Sequence, residues 1–277
     1  MKKSIQQFML GTVTNSLSQA ESTLRSIREA GYAEIELCAF MTQPAPAVVR
    51  LLTKAAGMSV GRGGKLPWES LVRNSGLGVT AIHQYLPAIE EDMGKCVSDC
   101  RRFGTERMVV TGMYRFDYRD REKVLDLAAR LNKAGETLRK EGIRLLYHNH
   151  NSEFLPIEPG LWAYRLLQQE TSPENLSFEF DSYWCADAGR DPLREMAALG
   201  SRMELWHLAD RGCRKPGFTP ICKMDPMEPG TGTMDIAALG SQAAANGTAA
   251  AVLECHKNWI GGDPIASLRL SAKAMNF

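Results

Sequence analysis

The feature of the sequence that most limits its fold is an alternation of short apolar runs with longer helical patterns, which continues to the C-terminus. This alternation is typical of repeated βα units around a parallel sheet. Eight such units follow one another at roughly 35 residues each, the size range usual for a (β/α)8 barrel. The sequence therefore predicts an α/β protein with one (β/α)8 TIM barrel domain over residues 1–277, and a doubly wound sheet is the alternative.

The expected elements follow from local signals. The strands are Gln6–Val13, Ala33–Phe40, Gly78–Leu86, Glu106–Gly112, Ile143–His150, Leu176–Asp181, Met203–Asp210 and Ala249–His256. Ser18 with Glu21 forms a capping box that predicts a helix to Ala30. Further helices are expected at Pro46–Ala56 and at Asp120–Lys140, where apolar residues recur at helical spacing.

Composition excludes several classes of partner. A formal net charge of +1 favours neither nucleic acid nor an anionic membrane. No run of 18 apolar residues occurs and the N-terminus lacks a secretory pattern, so we expect a cytoplasmic protein without a membrane partner. The seven cysteines lack CxxC spacing, which predicts reduced and mostly buried thiols. The expected partner is a small molecule, and a homo-oligomer is left open.

Reactive side chains concentrate near the ends of the expected strands, where barrel enzymes place their active sites. They are His83, His148, His150, Asp181, His207, Glu254 and His256, and they include every histidine of the chain. Side chains two residues apart on a strand share a face, so His148 and His150 form one pair and Glu254 and His256 another. A donor set of histidine and carboxylate without thiolate suits Mn2+, Zn2+, Co2+ or Mg2+.

Five segments, in this order, resemble the xylose isomerase-like barrel superfamily of sugar isomerases and epimerases. They are YHNHNSEF, FEFDSYWCADAGRDP, LWHLADRG, EPGTGTMDIAALG and AVLECHKNW. The resemblance implies a divalent metal held at the ends of strands five to eight. By position Asp181, His207 and Glu254 match the family's ligands, and His148 stands where the epimerases have glutamate. His150 or Glu153 are alternatives to His148 as ligand or base.

The resemblance also implies a reaction. A carbohydrate substrate would lose a proton next to its carbonyl, pass through an enediolate and regain the proton, without an organic cofactor. Glu254 would carry the proton on one side, and His148, His150 or Glu153 on the other. The residues expected to bind substrate are Glu36, His83, Trp184, Trp206, Arg211 and His256.

Three other functions compete with sugar isomerisation or epimerisation. Expulsion of a β-substituent would make the protein an inosose dehydratase-like enzyme or a keto-glycoside lyase. An apurinic endonuclease of the same superfamily needs more histidines and a basic groove, which five histidines and a charge of +1 do not supply. A non-catalytic sugar-binding barrel has no need for the metal set of Asp181, His207 and Glu254.

Overall fold

Eight strands close into one barrel in the computed structural model, which describes residues 1–43, 63–215 and 217–277. The strands are β1 (Lys2–Gln6), β2 (Glu34–Cys38), β3 (Gly78–Gln84), β4 (Arg107–Thr111), β5 (Arg144–His148), β6 (Ser177–Asp181), β7 (Met203–Leu208) and β8 (Ala250–Leu253). Their order around the barrel is β1-β8-β7-β6-β5-β4-β3-β2. The predicted (β/α)8 barrel is confirmed, and closure excludes the doubly wound sheet. The single domain stays a prediction.

Helices separate the strands along the chain. They are α1 (Leu17–Glu29), α2 (Trp68–Ser75), α3 (Leu86–Glu91), α4 (Met93–Phe103), α5 (Arg121–Lys140), α6 (Ala163–Glu170), α7 (Ser182–Asp187), α8 (Pro192–Leu199), α9 (Ile236–Ala245) and α10 (Pro264–Ala274). The predicted helix at Pro46–Ala56 lies outside the described residues. Within those residues no helix has the length and apolar character needed to cross a membrane.

Helix α5 shows how the local sequence builds these elements. Asp120 Oδ1 accepts the backbone N–H of Lys123 and caps the first turn. The apolar residues at helical spacing are buried, as their periodicity predicts. At Gly135 an added Cβ would lie 1.9 Å from the carbonyl oxygen of Asn175, so only glycine lets the helix approach that backbone.

The first βα unit corrects two predictions. The expected strand Gln6–Val13 begins and ends earlier, at Lys2–Gln6, and Gln7–Leu10 forms a buried 3-10 turn. Helix α1 is capped by Ser16 and not by Ser18: Ser16 has extended backbone angles and its side chain accepts the N–H of Gln19. Ser18 already lies within the helix, so its capping box does not form.

The chain divides into two compact units. The terminal unit comprises Met1–Thr80, His207–Ser241 and Ala250–Phe277, and the central unit comprises Ala81–Trp206 and Gln242–Ala249. In the terminal unit Ile5 of β1 pairs in parallel register with Ile35 of β2 and with Leu253 of β8. All three side chains are fully buried, so burial of apolar surface holds these strands together.

In the central unit the strand register brings polar side chains into one row. Thr111 of β4 pairs with His148 of β5, and His148 pairs with Glu179 of β6. Partners in register point to the same face of a sheet, so these side chains are neighbours. Tyr147 precedes His148 and faces the other side, where it is fully buried.

Asn149 joins the ends of β5 and β6. Its Nδ2 donates to the carbonyl oxygen of Asp181 (3.1 Å), and its Oδ1 accepts the backbone N–H of Asp181 (2.9 Å). The Asn149 side chain is fully buried. It therefore forms hydrogen bonds with both backbone groups of Asp181 at the end of β6.

We expect Asn149→Ala to lower the free energy of unfolding by roughly 1–3 kcal/mol, because it leaves buried polar groups without a partner. Urea unfolding followed by circular dichroism measures the change. Asn151→Ala is the matched control, since its side chain contacts Asp187 at an exposed position. Equal stability of Asn149→Ala and Asn151→Ala would contradict the bridging role.

The thiols give a second test of the fold. Cys38, Cys96, Cys100, Cys185 and Cys255 are buried, Cys213 is partly exposed and Cys222 is exposed. Burial raises the pKa of Cys96 to about 11 and those of Cys100 and Cys255 to about 12. These three thiols therefore carry almost no reactive thiolate near neutral pH.

We expect a thiol reagent such as DTNB at pH 8 to label only Cys213 and Cys222 in the folded protein. Denaturation should release all seven thiols. Cys222→Ser should remove one fast-reacting group and leave the five buried thiols unlabelled. Rapid labelling of a third thiol in the native protein would show that the barrel is less closely packed than described.

Candidate functional site

His207 of β7 lies between two carboxylates in the terminal unit. Its Nε2 is 2.7 Å from Glu36 Oε2, and its Nδ1 is 2.9 Å from Glu254 Oε2. The side chains of His207 and Glu36 are fully buried, and 11% of the Glu254 side chain is exposed. A neutral imidazole donates from only one ring nitrogen. Contact with a carboxylate at each nitrogen therefore calls for an additional proton or for a nearby cation.

Glu254 is placed by the strand that precedes it. It is the first residue after β8, and its backbone N–H donates to the carbonyl oxygen of Leu208 at 3.0 Å. The residues of β8 are buried apolar side chains, so the carboxylate follows directly from the core. A carboxylate in such a position is costly unless positive charge compensates it.

Glu179 of β6 is the centre of a second cluster, in the central unit. Its Oε2 is 2.8 Å from His83 Nε2 and 3.3 Å from His148 Nδ1. His83 Nδ1 also contacts Thr111 Oγ1 at 2.8 Å. Sequence reasoning missed Glu179, although FEFD carries the signal: Glu179 stands two residues before Asp181, on the same face of the strand.

Asp181 ends β6 and begins the next helix. Its side chain is 3% exposed, and its Oδ1 accepts the backbone N–H of Trp184 at 2.8 Å, which caps α7. Asn149 holds its backbone from the side of β5. The carboxylate is thus fixed at the strand end by its own helix cap and by the neighbouring strand.

The segment YHNHNSEF carries His148 as the last residue of β5 and His150 two residues beyond it, so the strand ends earlier than the predicted His150. Their rings meet edge to face with centroids 5.0 Å apart. His148 is 1% exposed, whereas His150 is partly exposed and its ring lies 5.8 Å from that of Trp184. The two histidines therefore differ in environment: His148 is a buried partner of Glu179, and His150 is the more accessible ring.

Glu153 is buried in the turn after His150. Its Oε1 accepts the hydroxyl of Tyr147 at 3.0 Å, and its Oε2 accepts the backbone N–H of His150 and the hydroxyl of Ser152. Burial raises the pKa of Tyr147 well above its ordinary value, and the charge of Glu153 raises it further. Tyr147 is therefore a protonated donor at neutral pH.

Three further residues expected to bind substrate lie in different environments, and their role stays a prediction. Trp206 is fully buried and its indole N–H donates to Ser182 Oγ at 2.9 Å. Trp206 precedes His207 and so faces the other side of β7, and its predicted stacking on a sugar finds no support in this geometry. Arg211 lies partly buried in a hairpin of Asp210–Gly212 with Asp225–Met227. His256 is partly buried, with its ring 5.9 Å from that of Phe8.

Asp210 orders the segment EPGTGTMD and was also missed from the sequence. Its Oδ1 accepts the N–H groups of Arg211 and Met234, and its Oδ2 accepts those of Gly230 and Gly232, at 2.7 to 3.0 Å. The carboxylate thus stabilises a turn that lies some twenty residues further along the chain. No local spacing in the sequence predicts a contact between residues that are so far apart in the chain.

Two overlapping groups of described residues could hold a metal ion. One is Glu36, His83, Glu179 and His207, and the other is His148, Asp181, His207 and Glu254. Both combine imidazole and carboxylate donors, which suit Mn2+, Zn2+, Co2+ or Mg2+. The donor chemistry therefore fits a divalent cation. The second group is the ligand set expected from the sequence.

Comparison with solved structures identifies proteins of the same fold. A sugar phosphate isomerase/epimerase from Parabacteroides distasonis has a TM-score of 0.74 and 21% identity, over 98% of this chain and 92% of that one. A probable 3-DHS dehydratase, AsbF, from Bacillus anthracis has a TM-score of 0.70 and 15% identity, over 100% and 99%. The IOLI protein, solved with a bound zinc atom, has a TM-score of 0.66 and 13% identity, over 99% and 96%.

At these identities the likeness shows the fold and not the reaction. No curated protein matches the chain by sequence. A family model described as xylose isomerase-like TIM barrel matches residues 24–276, which is most of the chain. The closed barrel and the histidine and carboxylate clusters at its strand ends agree with that match. The chain belongs to the xylose isomerase-like TIM barrel family.

Proposed function

We propose that the protein is a divalent-metal-dependent isomerase or epimerase of a small carbohydrate, acting by proton transfer next to a carbonyl. The observation that carries the proposal is the contact of buried His207 with Glu36 at one ring nitrogen and Glu254 at the other. Such a trio stays negatively charged even with a protonated ring, because carboxylates outnumber imidazoles. A bound cation would offset that negative charge, and the cluster would then serve as a metal site.

We assign the metal to His148, Asp181, His207 and Glu254, the second of the two possible donor groups. A divalent ion, when bound, would supply the positive charge that polarises a carbonyl and its adjacent hydroxyl. Mn2+, Zn2+, Co2+ and Mg2+ all suit the donors, and no organic cofactor is proposed. The zinc atom in the IOLI structure supports a metal-dependent reading.

The protein's own residues would move the proton. Glu254, which is not fully buried, would exchange a proton at a carboxylate oxygen. His150 would act from the turn after β5, where its side chain is partly exposed. One group would remove a proton from carbon and the other would deliver one to the neighbouring carbon. Transfer of the hydroxyl proton from one substrate oxygen to the other would then complete an isomerisation.

A lyase is the second candidate, and the proposed proton carriers favour it. His150 and Glu254 would act on the two sides of the reaction, so these sides have chemically different groups, imidazole and carboxylate. Unlike groups suit an asymmetric reaction in which one removes a proton and the other protonates a departing β-substituent. Dehydration of a cyclitol ketone or cleavage of a keto-glycoside would follow. The likeness to a probable dehydratase agrees with this alternative.

We also propose a cytoplasmic location and no nucleic-acid partner, since the net charge of +1 offers no basic footprint. An apurinic endonuclease would nick abasic plasmid DNA, so that assay separates it from the proposed activity. A non-catalytic barrel would bind sugar without exchanging its protons.

We expect His207→Ala to lose the metal, because it removes one imidazole donor. Purified protein is loaded with Mn2+, dialysed and analysed for metal per chain by mass spectrometry. Glu204→Gln is the matched control: it lies on the same strand and contacts Arg107 and Arg144. Full metal occupancy of folded His207→Ala would remove His207 from the ligand set.

We expect Glu254→Gln to lower the rate of proton exchange by roughly 100- to 10,000-fold, the range for loss of a general acid or base. Free and phosphorylated ketoses and keto-inositols are incubated in D2O, and NMR records deuterium at the carbon beside the carbonyl. Glu204→Gln again serves as the control. Near-normal exchange by Glu254→Gln would sink the assignment of Glu254 as proton carrier.

A further inference from the structure

A chain of buried hydrogen bonds runs through the central unit to Glu153. The backbone N–H of Met113 donates to the Tyr118 hydroxyl at 2.7 Å, and the Tyr118 and Tyr147 hydroxyls are 2.7 Å apart. Tyr147 in turn donates to Glu153 Oε1 at 3.0 Å. Tyr118 is 3% exposed, and Tyr147 and Glu153 are fully buried. Since each hydroxyl can accept from the previous group and donate to the next, the chain ends on the carboxylate.

The other carboxylate oxygen of Glu153 holds the turn that carries His150. Oε2 accepts the backbone N–H of His150 at 3.1 Å and the Ser152 hydroxyl at 2.9 Å. Residues 152–154 form a single 3-10 turn, which contributes little rigidity of its own. Glu153 therefore connects this short turn to the side chain of Tyr147 in β5.

Gly112 makes room for the arrangement. An added Cβ at this position would lie 2.8 Å from Glu153 Oε1, 3.1 Å from the Tyr118 hydroxyl and 3.3 Å from His150 Nδ1. All three contacts are shorter than ordinary van der Waals separation. The segment after β4 thus approaches the carboxylate, the phenol and the imidazole at once, and a side chain larger than that of glycine would force at least the Glu153 carboxylate to shift.

We infer that Glu153 is a positioning residue that acts through His150, and that Tyr147 and Tyr118 hold it in place. The sequence left Glu153 open as ligand or base. Both of its oxygens accept hydrogen bonds from Tyr147, Ser152 and the His150 backbone, which is the pattern of a buried support. The inference rests on the proposed role of His150 in proton transfer. In it, Glu153 orients and His150 reacts.

A direct test follows the backbone N–H of His150 by hydrogen exchange. Selective 15N-histidine labelling gives one amide signal for each of the five histidines, and His150→Gln identifies the relevant one. We expect Glu153→Ala to speed exchange of this amide about tenfold or more, and Tyr147→Phe about threefold, from the usual strength of the lost hydrogen bonds. Tyr114→Phe is the matched control, because Tyr114 is 79% exposed.

An unchanged His150 amide in folded Tyr147→Phe and Glu153→Ala would overturn the inference. Tyr147→Phe removes a single hydroxyl, so it keeps the test available if Glu153→Ala fails to fold. This readout needs neither metal nor substrate. It therefore decides the positioning role even if the wild-type protein binds no Mn2+ and the proposed function fails.

A double-mutant cycle then tests whether the effect reaches the reaction through His150. Where the wild type exchanges a ketose proton, we expect Tyr147→Phe to lower kcat, with KM and Mn2+ affinity within about twofold of wild type. In a His150→Gln background, Tyr147→Phe should cause no further loss. An equal loss of kcat in both backgrounds, or a lower Mn2+ affinity, would contradict action through His150 and leave the proposed function standing.

Discussion

The contact of one buried imidazole with two carboxylates is the interaction on which the candidate site depends. A neutral His207 ring has one N–H and cannot donate hydrogen bonds to both Glu36 and Glu254. The cluster therefore calls for an additional proton or a cation. In the central unit Glu179 likewise lies between His83 and His148. Buried charge of this kind weakens a fold unless it is compensated. The site is therefore suited to bind a positive charge, and it is not a feature that stabilises the fold.

Much of the fold could be predicted because the relevant signals are local. Period-two alternation placed His148 and His150 on one face, and helical periodicity predicted α5. The same alternation, applied backwards from Asp181, would have found Glu179 as well. Errors at Ser18 and at the end of β1 arose because several residues near a boundary satisfy the same capping or strand rule, and tertiary packing decides among them.

The support around the reactive groups could not be predicted, because it joins distant parts of the chain. Tyr118 meets Tyr147 across nearly thirty residues, and Asp210 binds N–H groups some twenty residues further on. Trp206 shows the limit of arguing from adjacent residues. Its position beside His207 suggested a sugar contact, which stays a prediction, whereas the structure shows its indole N–H donating to Ser182. Residues that are adjacent in the sequence are therefore often not in contact in a barrel site.

In the proposed site a divalent ion binds through two imidazoles, of His148 and His207, and two carboxylates, of Asp181 and Glu254. Electron–nuclear double resonance on Mn2+-loaded, 15N-histidine-labelled protein measures the nitrogen ligands directly. The proposed ligand set predicts strong couplings from two imidazole nitrogens. Coupling from fewer than two in the Mn2+-bound protein would contradict it.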